Sequence, residues 1–493
     1  MSLKDNIASI GLCLPGGGFR ASAFCLGILQ MLHEVDLTNR LHGLSTVSGG
    51  TITGIKYAQM MCDGQSFQSF YNALYNWLRN NRLAASAVAN LKNNHLWKSE
   101  YAHKRRNLIN AFSIEYQKFI PGTLGSLEAY CALPDSPLKR TIFNSTDFSH
   151  GVEFRFQNKD VPQRDFGNAY QDPIFKDIRK QLSLGDIAAA SSCFPAGFEP
   201  MAFPDDFIGD TEIRESIKDA KTLGLMDGGI MDNQGVSSFM TGSKLPYDLY
   251  LIGDVGALSN NPFTFSDDLP ATRWISLLTN RWFFISGLML TIVCIFFDIF
   301  FLQYLFLAIT SILAVIHLVL FWGYRYAAKT ARVKGNFILD HRLLGTYLLD
   351  RIRSVVILNN AIFLRGAKSR NISNIFSKAH HKAEKISIYE LTEFSKNRSE
   401  DPTSTKQQLQ SLVGDIPNHL SSASHRATSF ATTLWFEDEQ GEMLDDLVLT
   451  GKATTCLSLL SFLLRISDLK TCEGDPFFQE LLEHWRSIAK PIA

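Results

Sequence analysis

Residues 7–21, Ile-Ala-Ser-Ile-Gly-Leu-Cys-Leu-Pro-Gly-Gly-Gly-Phe-Arg-Ala, join an apolar run to three consecutive glycines and then to a segment with helical spacing. Ile7–Leu14 reads as a buried strand that stops at Pro15. Phe19–Val35 then sets Phe24, Ile28, Leu29 and Leu32 on one face of a helix. The same order recurs immediately: Leu44–Val47 as a short strand, Ser48-Gly49-Gly50 as the turn, and Thr51–Met61 as a helix. Strand, tight turn and helix, twice in succession, predict an α/β layered domain around a parallel sheet.

Outward from this pair, residues 65–135 read as mostly helical and predict a cap or side layer. Lys139–Asn144, Glu153–Gln157 and Asp248–Asp254 read as further strands, and Leu182–Ser192 as a helix with Ser183 at its N-cap. The opening apolar run leads straight into the glycine loop. Removing it would destroy a core strand, so it is not read as a signal peptide. Past residue 326 the spacing predicts a mainly helical region that packs back on the body, with Thr432–Phe436 and Ala453–Ile466 as its apolar stretches. Residues 397–406 read as an exposed loop.

The composition narrows the function. Hydrophobic residues make up 46% and charged residues 19% of the 493 residues, so the chain folds and is long enough for more than one unit. Lys plus Arg and Asp plus Glu are equal at 48 each, which leaves no global charge to recruit nucleic acid. The eight cysteines are scattered without a C-x-x-C pair, which predicts free thiols and no zinc site.

From Trp282 to Tyr324 the chain is almost continuously apolar, broken by Asp298, Gln303 and His317. As one helix this run would extend about 65 Å, twice a hydrocarbon core. Two passes fit better, and they predict a transmembrane helical hairpin within 281–325 whose tip carries Asp298 and Gln303. Arg273 and Arg281 before it, and Arg325, Lys329, Arg332 and Lys334 after it, predict that both ends face the cytoplasm.

Three motifs carry the chemistry. Gly16-Gly17-Gly18-Phe19-Arg20-Ala21 sits between strand and helix, where successive backbone N–H groups can face an anion or a developing oxyanion; glycine turns of this kind also bind nucleotides or simply turn the chain. Thr46-Val47-Ser48-Gly49-Gly50 places a serine at a strand-to-helix apex, as a nucleophile elbow does, although Thr46 stands where the usual pattern has glycine. A helix N-cap serine is the ordinary alternative. Met226-Asp227-Gly228-Gly229-Ile230 holds a carboxylate at a Gly-Gly turn, which taken alone is only a turn.

In this order the motifs resemble the patatin-like phospholipase family. The resemblance rests on residues 14–21, on Ser45-Thr-Val-Ser-Gly-Gly-Thr51 and on Leu225-Met-Asp-Gly-Gly-Ile-Met-Asp-Asn233. Asn144-Ser-Thr-Asp147 and residues 190–200 also look like family blocks. The Gly-Gly-Gly-Phe-Arg-Ala string is similar to the corresponding loop of cytosolic phospholipase A2 enzymes. The family implies a three-layer α/β sandwich with a central, mostly parallel sheet. It implies a dyad of Ser48 as nucleophile and Asp227 as base, with Gly16, Gly17 and Gly18 as the oxyanion hole and Arg20 beside it. Gly49, Gly50, Gly228 and Gly229 are the motif neighbours. It implies no metal and no organic cofactor.

The expected organisation is a catalytic domain over 1–265, a two-pass hairpin over 281–325 and a helical region over 326–493. The expected activity is that of a membrane-attached lipid acyl hydrolase of phospholipase A or lysophospholipase type, facing the cytoplasm, with membrane phospholipid or lysophospholipid as substrate. Two other readings share these residues: an acyltransferase using the same acyl-enzyme, and a catalytically silent membrane scaffold or sensor of the same fold. Nothing in the sequence sets the oligomeric state.

Overall fold

The computed structural model describes residues 2–160, 165–195, 197–240, 245–256, 364–379, 381–394, 404–437 and 441–490, together with eight helical positions between 285 and 322. The chain divides into two units, Met1–Leu258 with Leu364–Ala493, and Ser259–Phe363.

The first unit is organised on an eight-stranded mixed sheet. Its strands are β1 (Ile10–Leu14), β2 (Leu41–Val47), β3 (Arg140–Asp147), β4 (Val152–Gln157), β5 (Met201–Phe203), β6 (Leu223–Asp227), β7 (Leu249–Asp254) and β8 (Ala383–Ser387). The order is β5-β6-β3-β2-β1-β7-β8, with β4 also paired to β3. The run β3-β2-β1-β7-β8 is parallel, as the two strand–turn–helix units predict. The other end is not: β4 and β6 both run antiparallel to β3, and β5 antiparallel to β6. The expected mostly parallel sheet is therefore a parallel block with an antiparallel flank.

Alternation along the central strands separates two apolar clusters, because successive side chains of a strand point to opposite faces. Leu12, Leu14, Leu249 and Leu251 enter the larger cluster, whereas Cys13, Tyr250 and Ile252 enter a smaller one with Phe239, Ile375 and Ala379. The helix Leu364–Ala379 thus covers one face. On the other lie α1 (Gly18–Glu34) and α2 (Gly49–Cys62), each following its strand as expected. Residues 65–135 are helical, as α3 (Phe67–Asn80), α4 (Leu83–Lys92), α5 (Leu108–Phe119) and α6 (Leu124–Cys131). α7 (Leu184–Ser191) begins after Ser183, which holds the N-cap position without a side-chain capping bond.

The C-terminal region supplies an edge strand, β8, from a polar stretch that did not read as a strand. It also supplies α8 (Glu442–Ile466), which packs along α1. A side chain on Gly27 of α1 would strike the backbone of Val448, and one on Gly451 of α8 would strike Phe24, so these two glycines set the close approach. α8 is long and apolar enough to cross a membrane by length and composition. Because 83% of its apolar window is buried inside the protein, it serves as a core helix.

The Trp282–Tyr324 hairpin lies largely, and residues 326–363 of the expected helical region wholly, outside the described residues. The eight positions that are described, Ile285, Met289, Ile292, Val293, Phe296, Ile312, Val315 and Trp322, are all helical. All are large apolar residues, between 45% and 63% exposed.

Candidate active site

The site forms where two strands meet end to end beside β3. Val47, the last residue of β2, pairs with Asn144, and Asp227, the last residue of β6, pairs with Ser145. β4 occupies the other edge of β3 from Ile142 to Asp147, so β2 and β6 approach along the same edge from opposite directions. Their C-terminal ends therefore point at each other. This is why Ser48 and Asp227, far apart in sequence, become neighbours.

Ser48 follows β2 directly and has φ 50° and ψ −120°. A non-glycine residue at positive φ is strained, and here the strain turns the hydroxyl out of the strand line as a nucleophile elbow requires. The turn closes only because its neighbours are small: a side chain on Gly49 would strike the backbone of Gly18, and one on Gly50 the carbonyls of Leu14 and Pro15. The Gly50 N–H donates to the Pro15 carbonyl at 3.0 Å, which ties the serine turn to the glycine loop.

Two bulky residues of these turns, Thr46 and Pro15, each face a glycine on a neighbouring element. Thr46 keeps its side chain because Gly54 of α2 leaves room for the threonine methyl, and its hydroxyl bonds that of Thr51 at 2.9 Å. Pro15 fits because Gly253 on β7 faces its ring without a side chain.

Asp227 is buried, and its carboxyl is pushed up from the ordinary 3.8 to about 6 by loss of solvent, against the opposing pull of hydrogen bonds from the Ser48 side chain and the Gly229 backbone. The Gly229 N–H donates to Asp227 Oδ1 at 2.7 Å, and the Asp227 N–H donates to the Cys193 carbonyl at 2.9 Å. Gly228 is hemmed in by Asn144, where a side chain would not fit.

The glycine loop completes the arrangement. The Gly16 N–H is already committed to the Asn233 carbonyl at 2.8 Å, so it serves as a hinge pin, not as the anion donor expected of it. Gly17 and Gly18 have φ of 148° and 59° and open α1, the end of a helix where N–H groups lack intrahelical acceptors. Arg20 is buried on the first turn of α1 and donates through Nη1 to the Phe430 carbonyl at 2.7 Å. Burial lowers its guanidinium to about 10, with the Asp254 charge acting the other way.

A polar network that the motifs did not announce holds the elbow. Ser191, the last residue of α7, accepts from the Ser48 N–H at 2.9 Å and donates to the Asn144 carbonyl at 2.6 Å; its hydroxyl also bonds Thr51 at 2.8 Å. Asn144 donates to the Thr46 carbonyl at 2.9 Å and to Ser45 Oγ at 3.0 Å, and accepts from Ser238 at 2.6 Å. The block from 190 to 200 gave no hint of this role except that two serines end a helix. Ser191→Ala leaves the Ser48 N–H buried without an acceptor, at a cost of about 1–3 kcal/mol. We expect it to lower the melting temperature and to slow any reaction at Ser48 about tenfold or more, as measured by calorimetry and steady-state kinetics. Unchanged turnover would mean that the elbow holds its shape without Ser191.

The patatin-like phospholipase family model matches residues 12–240. Among solved structures, human GIVD cytosolic phospholipase A2 is similar at 13% identity and a TM-score of 0.34, covering 55% of this chain and 48% of that one. VipD from Legionella pneumophila is similar at 12% identity and a TM-score of 0.24, covering 57% of this chain and 55% of that one. The chain thus spans about half the length of each. No curated protein matches the sequence. The family match encloses the glycine loop, the serine elbow and the aspartate turn, so that residues 12–240 are similar to the patatin-like phospholipase domain.

Proposed function

We propose that the protein is a membrane-associated serine lipid acyl hydrolase of phospholipase A or lysophospholipase type, acting through the dyad Ser48–Asp227. The observation that carries this reading is the strained Ser48 hydroxyl hydrogen-bonded to a buried Asp227 whose carboxyl is poised near 6. A hydroxyl is a weak nucleophile until a base takes its proton, and a base is most effective when its pKa lies near the working pH. As Ser48 Oγ bonds to the ester carbonyl carbon, its proton passes to Asp227 and the carbonyl oxygen becomes an oxyanion facing the N–H groups of Gly17 and Gly18. Collapse expels the alcohol half, a lysolipid or glycerol derivative, which leaves with the proton from Asp227. Water then adds to the acyl-serine by the same steps in reverse roles, releasing the fatty acid and restoring both side chains.

Lipid mass spectrometry on phospholipid vesicles incubated with the wild-type chain and with Ser48→Ala tests the reading. Free fatty acid and lysolipid should accumulate only with the wild type. Transfer of the acyl group to added glycerol or lysolipid, in place of fatty acid release, would establish the acyltransferase instead. No product from either chain would leave the silent scaffold.

Membrane attachment rests on the 281–325 segment. Ile285, Met289, Ile292, Val293, Phe296, Ile312, Val315 and Trp322, the described positions of this segment, are helical and have exposed apolar side chains. Exposed apolar side chains in so apolar a segment suit lipid better than water. The full chain should stay with the membrane pellet after alkaline carbonate extraction, and a chain lacking 281–325 should be released; extraction of the full chain would end the integral-membrane reading.

A further inference from the structure

The glycine loop has an obvious weakness as an oxyanion site. Gly17 and Gly18 occupy positive-φ conformations that favour glycine, and without side chains to hold them the peptides that would carry the donors are the easiest in the loop to flip. Preorganised donors act only when they are held, and the loop is pinned on both sides of this pair. On the upstream side the Gly16 N–H binds the Asn233 carbonyl, as described above. On the downstream side the Phe19 N–H donates to the Thr433 carbonyl at 2.8 Å, and that carbonyl fills the space where any side chain on Gly18 would lie.

Thr433 belongs to the C-terminal segment Phe430–Phe436, which crosses the start of α1. At its upstream end the Phe430 carbonyl accepts from Arg20. At its downstream end Asn81 clips the backbone twice: its Nδ2 donates to the Phe436 carbonyl at 2.7 Å, and its Oδ1 accepts from the Phe436 N–H at 2.9 Å. The Phe436 ring lies 5.4 Å from that of Phe19, which also meets Trp77 at 5.5 Å. Asn81 itself has φ 51° at the end of α3, a conformation that asparagine tolerates better than most residues.

Building on the dyad reading, we propose that residues 430–436 are a strap that holds the oxyanion donors in place, and that Asn81 is the positioning residue that fastens it. The catalytic site is then incomplete without a segment that lies beyond the end of the family match at residue 240. Asn81 touches neither substrate nor the reacting atoms. It acts through Phe436, Thr433 and Phe19 on the orientation of the Gly17–Gly18 peptides.

Asn81→Gly tests this in the full-length chain, since glycine accepts the positive φ and deletes both clip bonds. We expect kcat to fall about 10–100-fold with KM nearly unchanged, and the Phe19 amide to exchange with solvent faster than in the wild type. A trifluoromethyl ketone lipid analogue forms an oxyanion when Ser48 Oγ adds to its carbonyl carbon and the proton passes to Asp227. Its affinity should fall in step with kcat, whereas a non-hydrolysable ether phospholipid should bind as before. Asn81→Asp keeps the acceptor for the Phe436 N–H and loses the donor, so it should lie between; it also stands in if the glycine variant does not fold. Unchanged or raised kcat, equal loss of ketone and ether-lipid affinity, or an unaltered Phe19 exchange rate would each overturn the strap. Wild-type ester turnover that survives Ser48→Ala would instead overturn the dyad reading beneath it, a result visible without the Asn81 variants.

Discussion

Ser48→Ala should lower ester turnover by on the order of 10⁴–10⁶-fold and abolish labelling by a fluorophosphonate. The loss is large because no covalent intermediate can form, while the N–H groups of Gly17 and Gly18 and the lipid contacts remain to give a small residual rate. The fold should survive. Ser48 contributes a backbone N–H to Ser191, which alanine retains, and the elbow is held by Asn144 and by the Gly50–Pro15 bond. A second substitution separates strain from chemistry. Ser48→Gly, equally inactive, should melt above Ser48→Ala because a φ of 50° suits glycine. Turnover above one hundredth of wild type in either variant, measured with purified chain on a soluble short-chain ester, would assign the nucleophile elsewhere.

Asp227→Asn should cost on the order of 10⁴-fold in turnover and yet stabilise the protein at neutral pH. The native carboxyl sits at about 6 against an ordinary 3.8, raised by burial. Between these two values the native state binds more protons than the unfolded state, so stability falls as pH rises through that window and the penalty is full above it. The shift corresponds to on the order of 3 kcal/mol. Asparagine keeps the acceptor oxygen for the Gly229 N–H without the buried charge. Its melting temperature should exceed that of wild type by a few degrees at pH 7–8, and the two should converge below about pH 4. The same group predicts that wild-type kcat/KM falls about tenfold per pH unit below 6, because only the ionised carboxylate can take the serine proton. A lower melting temperature for Asp227→Asn at pH 8, or a flat rate profile through pH 5–7, would remove Asp227 as the base.

The parallel block was readable because its signals are local. β1, β2, α1 and α2 each show their period within a few residues, and the turns between them are written in glycines. The antiparallel flank was harder: β5 spans three residues, and β6 reads as the lead-in to a turn, so neither declares a direction. β8 escaped because Ala-Glu-Lys-Ile-Ser has the polarity of a loop, and it becomes a strand by pairing with β7. The site shows the same division. Ser48, Asp227, Gly17 and Gly18 sit in motifs that can be recognised, whereas Ser191, Asn81 and Thr433 carry no local mark, since a polar side chain or a backbone carbonyl that meets a remote backbone N–H is set apart only by its place in the fold.

By itself, then, the sequence determined two strand–turn–helix units, the position of the serine at a strained apex and the glycines that let three loops approach one another. These follow from steric limits on single residues and from short apolar periods, which do not depend on distant parts of the chain. Only the tertiary structure decided that β6 enters along the edge of β3 vacated by β2, so that Asp227 ends opposite Ser145, one residue beyond the pairing of Val47 with Asn144. It alone decided that Gly16 is spent on Asn233 and that a C-terminal carbonyl closes on Phe19. Register between strands and contacts between remote segments are set by packing across the whole core, and no window of sequence contains them.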